Sequence, residues 1–387
     1  MKFKSLAVAL GLSAVGIASS ALADSQIPYG DRAGAALTLV GQSKWLWNSV
    51  TVSDDGRIFV GMPHWPGNES SPSVAELLPD GRLVPFPGGE FNQWQPGKPT
   101  GSAFVNINAV HTFDGKTLWV LDVGAPSLGK VVDADAAKVL QFDIKSGKLL
   151  RTIHPGAAAL PEGANMNDLR MDQENLYITD SGLGGIIVIN LKTGKALRRL
   201  SQETHTVANT RRIPVGEDGR LQRDGKGEPV QVHSDLIEIS PDGKWLYEQT
   251  LTGPLWRVET RLLRDEKVSE DTLSKAVQFV YDTPPLVGTA MDNHGNLYMA
   301  EMDRPRITVL KPDGTLSVVA QDSRLWGPDA LFITKQREIY VPIPQTSRQD
   351  FTQGPGAKSL VEMPYKLYKA KLPTGLGTQE PIPPVAR

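Results

Sequence analysis

Apolar and polar positions alternate in short runs along most of this chain, and six of these runs share one form. Each starts with a polar or small residue, continues as an alternating apolar strand, turns through Asp, Gly or Asn, and ends in a second apolar strand. The first copy reads Asn48-Ser49-Val50-Thr51-Val52, turns at Asp54-Asp55-Gly56 and resumes as Ile58-Phe59-Val60. Later copies begin near positions 108, 167, 234, 288 and 328. Alternation places one face of each strand against a neighbour, and Asp-Gly turns supply the positive φ that tight hairpins need. Six hairpin units at blade-sized spacing predict an all-β fold, a six-bladed β-propeller with four-stranded blades. A β-sandwich, or two unrelated β domains, would not repeat one hairpin six times.

The ends of the pattern suggest how the ring closes. Leu37–Val40 precedes the first copy and Tyr365–Ala370 follows the last, so the two segments are expected to share a blade and cover each other's edge. Two stretches interrupt the rhythm. Residues 201–231 are charged and Gly-rich and read as a loop with a small hairpin, whereas 260–279 carry a helical pattern after Ser269-Glu270-Asp271. Ahead of everything, Lys2 and Lys4, an apolar run from Leu6 to Ala18 and the triplet Ala21-Leu22-Ala23 read as a secretory signal over 1–23, with residues 24–387 as a single propeller domain. The expected location is secreted or periplasmic, with no membrane attachment after cleavage.

Composition narrows the partners. A net charge of −2 with acids and bases intermixed offers no basic stripe for nucleic acid, so a small-molecule ligand is expected. The absence of Cys excludes disulfides, thiolate metal sites and thiol nucleophiles. Gly182-Leu183-Gly184-Gly185 lies in a hairpin rhythm and lacks the strand-to-helix setting of a dinucleotide loop. Asn68-Glu69-Ser70 fits a glycosylation acceptor in sequence only.

An ordered set of short motifs resembles the yellow / major royal jelly protein family. It runs through Gly61-Met62-Pro63-His64-Trp65, Phe91-Asn92-Gln93-Trp94, Leu118-Trp119-Val120-Leu121-Asp122, Asn167-Asp168-Leu169-Arg170, Tyr177-Ile178-Thr179-Asp180, Leu255-Trp256-Arg257-Val258 and Trp326-Gly327-Pro328-Asp329. The resemblance implies a six-bladed propeller, secretion and a central pocket. Some members are similar to dopachrome-converting tautomerases, and others bind ligands or act without catalysis. A more distant similarity to metal-dependent gluconolactonases is visible at Asn167-Asp168 and Asp235, but the aspartate expected one blade later falls on Val287.

In a propeller the loops entering the innermost strands converge on the central channel, so residues distant in sequence meet there. Asn48, Asn108, Asn167, Asp235 and Asp329 occupy that position and are expected to line one mouth. Their plain alternative is to cap strand ends. Asn167 and Asp235 are the candidate metal pair, with Ca²⁺ as the candidate ion because it takes several carboxylate and carbonyl oxygens. His233, at a loop-to-strand edge beside Asp235, is the candidate acid/base for a tautomerase, with Asp235 orienting the substrate. His111 lies inside a strand, where a structural role is expected. The alternatives are a lactonase and a non-catalytic interaction scaffold.

Overall fold

Every repeat found in the sequence becomes the two inner strands of a blade. The computed structural model describes residues 32–127 and 129–378, apart from the side chain of Asp218. The expected signal segment lies outside the described residues. Blade one comprises Ser49–Val52, Ile58–Gly61, Val74–Leu77 and Leu83–Pro85. Blade two comprises Ile107–His111, Thr117–Asp122, Lys138–Asp143 and Leu149–Ile153. Met166–Met171, Asn175–Asp180, Ile186–Asn190 and Ala196–Arg199 form blade three. Ser234–Ile239, Trp245–Thr250, Leu255–Glu259 and Gln278–Tyr281 form blade four. Leu286–Met291, Leu297–Glu301, Arg306–Leu310 and Leu316–Gln321 form blade five, to which the two-residue strand Ala33–Gly34 adds an outer edge. Phe332–Ile333, Glu338–Ile343, Tyr365–Lys371 and Leu37–Ser43 complete blade six. All pairings are antiparallel, and the six inner strands pack each against the next around a closed ring.

The seam is the expected one. Leu37 pairs with Ala370 and Gly41 with Leu367, so the two ends of the chain are hydrogen-bonded within one sheet. The segment continues onto blade five at Gly34, whose φ of +72° and close approach to the Val319 carbonyl leave no room for a side chain. The N-terminal segment thus ties blade five to blade six without a disulfide.

Alternation then divides each blade's side chains between its two neighbours. In Thr117–Asp122, Leu118 and Val120 pack toward blade one while Trp119 and Leu121 pack toward blade three. The core consequently consists of six apolar clusters, one at each junction between adjacent blades. Trp47 is fully buried at the junction of blades six and one, which is the packing role expected of a large aromatic.

The two interruptions sit at the edge of this plan. Residues 260–279 form two short helices, Thr260–Arg264 and Glu270–Ala276, rather than one. Ser269 caps the second by accepting the Thr272 N–H at 3.2 Å. Phe279 belongs instead to the outer strand of blade four, because Phe279-Val280-Tyr281 are strong β formers that find partners at Leu255–Arg257. The 201–231 loop carries two bridges of a small hairpin, Val215 with Leu221 and Arg223 with Pro229. It also grips the 345–354 segment through the Arg348–Glu217 ion pair and an Arg223–Gln353 bridge. Asn68 is buried, with its amide nitrogen donating to the Leu46 and Pro63 carbonyls, so it cannot carry a glycan in the folded protein.

Candidate functional site

The residues at the repeat starts are aimed by a defect that four consecutive blades share. In blades two to five the pairing of the first and second strands slips at the start: between Ile107 and Ala109, Met166 and Leu169, Ser234 and Leu236, and Leu286 and Gly288. The extra residue of such a bulge is left unpaired, and its side chain is re-aimed. Asn108, Asn167 together with Asp168, Asp235 and Val287 are the residues at these slips. Gly288 follows Val287 because the Asp329 backbone lies where its Cβ would be, which brings blade six close to the ring.

Three amides and a carboxylate are strung together at this mouth. Asn48 Nδ2 donates to the Asn108 carbonyl at 2.8 Å, and Asn108 Nδ2 donates to Asn167 Oδ1 at 2.7 Å. Asn167 Nδ2 donates to Asp235 Oδ1 at 2.6 Å. Asn48 Oδ1 is buried without a partner. The loops feeding these positions are held by acids at the ends of the second strands. Asp122 accepts the Val105 and Asn106 N–H groups and pairs with the fully buried Lys138 at 3.1 Å. Asp180 accepts the Asn165 N–H and pairs with Arg198. Each acid is neutralised within its own blade, so the mouth rests on rigid supports.

One layer deeper, a second set of side chains links blades two to five. His111 Nε2 lies 3.0 Å from Asp168 Oδ1 and 2.9 Å from Arg170 Nη1. Arg170 Nη1 donates to Asp168 Oδ2 at 2.8 Å, while its Nε and Nη2 donate to both oxygens of Glu238. Thr289 Oγ1 donates to Glu238 Oε1 at 3.0 Å. His111 therefore has the structural place expected of it. The sequence pattern does not single out Asp168, Arg170 and Glu238 as a group. A spacing signal is nevertheless present: His111, Arg170 and Glu238 each stand three residues after Asn108, Asn167 and Asp235. Three, rather than two, separates successive inward positions because the bulge consumes one residue.

The two layers treat their carboxyls oppositely. Burial pushes Asp168 up, but the charges of Arg170 and His111 outweigh it and hold the group well below the usual carboxylate range. Asp235 is pushed up to about 7 by burial and then by the charge of Asp168, with the Asn167 hydrogen bond opposing. Asp329 is also raised well above its ordinary value, by burial and by the charges of Asp235 and Asp168. Among the described residues no Lys or Arg pairs with Asp235 or Asp329.

His233 makes its hydrogen bonds outside this ring. Its Nδ1 accepts the Ala208 N–H at 3.0 Å and its backbone N–H donates to the Ser181 carbonyl. Because Nδ1 accepts, the ring proton sits on Nε2, and burial lowers the pKa of the imidazole, the charge of Asp180 opposing. Asn167 and Asp235, the candidate metal pair, face each other as amide donor and carboxylate acceptor. Among the described residues no group of three or more His, Asp or Glu side chains is arranged to hold a metal ion.

The mouth opens through Asn108 into a cleft of ≈ 740 Å³ between the loops of blades two and three, with Trp65, Val123, Ala125 and Leu160 among its walls. That volume suits a small organic molecule. Among the described residues no helix is long and apolar enough to cross a membrane.

Residues 110–348, more than half of the chain, match the family model described as "Major royal jelly protein". No curated protein matches the sequence. Among solved structures, a calcium-binding regucalcin from Agrobacterium tumefaciens is similar over 90% of this chain and 98% of its own, at 14% identity and a TM-score of 0.51. A luciferin-regenerating enzyme is similar over 91% and 100%, at 9% identity and a TM-score of 0.53. A gluconolactonase from Xanthomonas campestris is similar over 88% and 90%, at 12% identity and a TM-score of 0.50. At such identities the likeness is one of fold.

Proposed function

The chain belongs to the major royal jelly protein family, and on that basis and the geometry of the mouth we propose that it binds a small cyclic molecule there and moves a proton on it. The polar end of the ligand lies on the Asn48–Asn108–Asn167 amides, and its ring or apolar body enters the cleft beside Trp65 and Leu160. The reaction is tautomerisation of an enolizable or quinone-like aromatic compound. One observation carries this reading: Asp235 is bonded to Asn167 and, among the described residues, is unpaired with any cation, and burial pushes its carboxyl up to about 7. A group poised near the working pH exchanges protons most effectively in both directions. Asp329 is the second carboxyl in reach, and His233 contributes through Nε2 from the edge of the mouth. Were Ca²⁺ to bind, it would need the carbonyl side of Asn167 turned toward it, so no step is assigned to a metal. Export through residues 1–23 belongs to the same proposal, and a mature protein beginning at Asp24 by intact mass would support it.

The test is an assay of the purified protein against dopachrome-like compounds and sugar lactones, with and without Ca²⁺. Parent protein is compared with Asp235→Asn and His233→Ala variants whose folding has been checked. Turnover of the aromatic compounds that Asp235→Asn loses supports the proposal. Turnover of lactones alone, dependent on Ca²⁺, would replace it with a lactonase, and ligand binding without turnover would make the protein a carrier.

A further inference from the structure

Five of the six inner strands finish with apolar residues, Val52, Met171, Ile239, Met291 and Ile333, and Phe113 stands just beyond the sixth. Four of these, Phe113, Met171, Ile239 and Met291, line a separate cavity of ≈ 630 Å³ that opens at the end of the propeller opposite the amide mouth. It shares no lining residue with the cleft at the mouth.

We propose that this opposite well is a second binding site, for a neutral, apolar, ring-shaped small molecule. Its volume falls in the range of small-molecule sites, and its wall combines an aromatic ring with two methionines, a polarizable lining that adapts to flat apolar ligands. Its floor explains the charge preference. Arg170 and Glu238 also line the well, yet every nitrogen of Arg170 is already donating and both oxygens of Glu238 are already accepting. A charged ligand would have to compete with these bonds. The rim adds Asp172, Glu174, Asp242 and Asp292 against Arg264, which repels anions. Phe113 stacks on His111 at 5.5 Å, so the occupant also rests against the layer that separates the two ends of the channel.

The experiment is equilibrium binding of 2-naphthol, followed by its fluorescence, with naphthalene-2-sulfonate as the anionic counterpart. The expected result is saturable binding of the naphthol and binding of the sulfonate weaker by about tenfold or more. Met291→Gln, and independently Met171→Gln, should each weaken naphthol binding by about tenfold in protein that remains folded at the assay temperature, whereas Asp235→Asn at the other mouth should leave it unchanged. Both methionine side chains are buried in inter-blade clusters, so some loss of thermal stability is expected. Two variants keep the test open should either fail to fold. Tighter binding of the sulfonate, loss of naphthol binding in Asp235→Asn, or binding unaffected by both methionine variants would each overturn the proposal. Because none of these readouts involves turnover, the outcome is independent of the reaction assigned to the mouth.

Discussion

Asp168 and Asp235 are carboxyls of neighbouring blades in one channel, and both are part-buried, but their pKa values are shifted in opposite directions. At the waist, Asp168 faces Arg170 and His111, and Arg170 in turn is held by Glu238. At the mouth, Asp235 has an amide for a partner and the charge of Asp168 for a neighbour. Burial alone therefore does not decide whether a polar group is scaffold or chemistry. A buried charge with a complete set of partners fixes the geometry, and a buried acid left without a counter-charge becomes a proton carrier near neutral pH.

Breaking the waist should have the largest effect. Arg170→Met leaves Asp168 and Glu238 buried without their cation, and denaturant unfolding at neutral pH should show a loss of about 3–5 kcal/mol. Asp235→Asn at the mouth should show no such loss, because the amide removes an uncompensated buried acid. Comparable destabilisation by the two variants would erase the contrast.

The second expected effect is on the pH dependence of stability. Glu248, buried in blade four, accepts one hydrogen bond from Ser234 and has an unpartnered Oε1; burial pushes it up to about 8. For Glu248 and Asp235 the folded-state pKa lies above the unfolded one, so the folded protein holds protons that the unfolded chain has released. Their contribution is complete below about pH 4 and is lost as pH rises through about 7 to 8. Glu248→Gln should therefore flatten the fall between about pH 4.5 and 8 by a few kcal/mol, at about 1.4 kcal/mol for each pH unit between the folded and unfolded midpoints. Asp168 has the opposite sign: its contribution is present above the ordinary carboxylate range and is lost as pH falls. Unfolding curves collected from acid to mild alkali on parent and Glu248→Gln protein check both limbs.

The fold and the mouth are legible in the sequence, whereas the waist is not, for a physical reason. Asp-Gly turns and period-two alternation are local signals, so the six hairpins, the Leu37–Leu367 seam and the convergence of Asn48, Asn108, Asn167 and Asp235 can be read directly. The waist joins His111 to Asp168, Arg170 to Glu238 and Glu238 to Thr289 across 57, 68 and 51 residues. Within its own strand each is one more polar residue in an alternating run, and only the ring closure brings them together. The bulges also move these residues from the second to the third place after the ring position, off the simple alternation. The helical pattern over 260–279 extends past the true helix end because strand pairing of Phe279–Tyr281 outweighs local periodicity.

A comparison of turnover separates the two candidates at the mouth. Asp235→Asn should lower turnover by about 10²–10⁴-fold, and His233→Ala by less, since Nδ1 of His233 is already occupied by the Ala208 amide. Steady-state rates on the same substrate decide it. A larger loss in His233→Ala would reassign the proton transfer to the imidazole.

An NMR titration of the ¹³C-labelled Asp carboxyls, with Asp235 assigned through Asp235→Asn, measures whether the carboxyl at the mouth that lacks a counter-charge is poised near neutrality. The expected midpoint for Asp235 is near 7, with Asp168 ionised throughout the same range. A midpoint for Asp235 near the ordinary aspartate value of 3.8 would contradict the account.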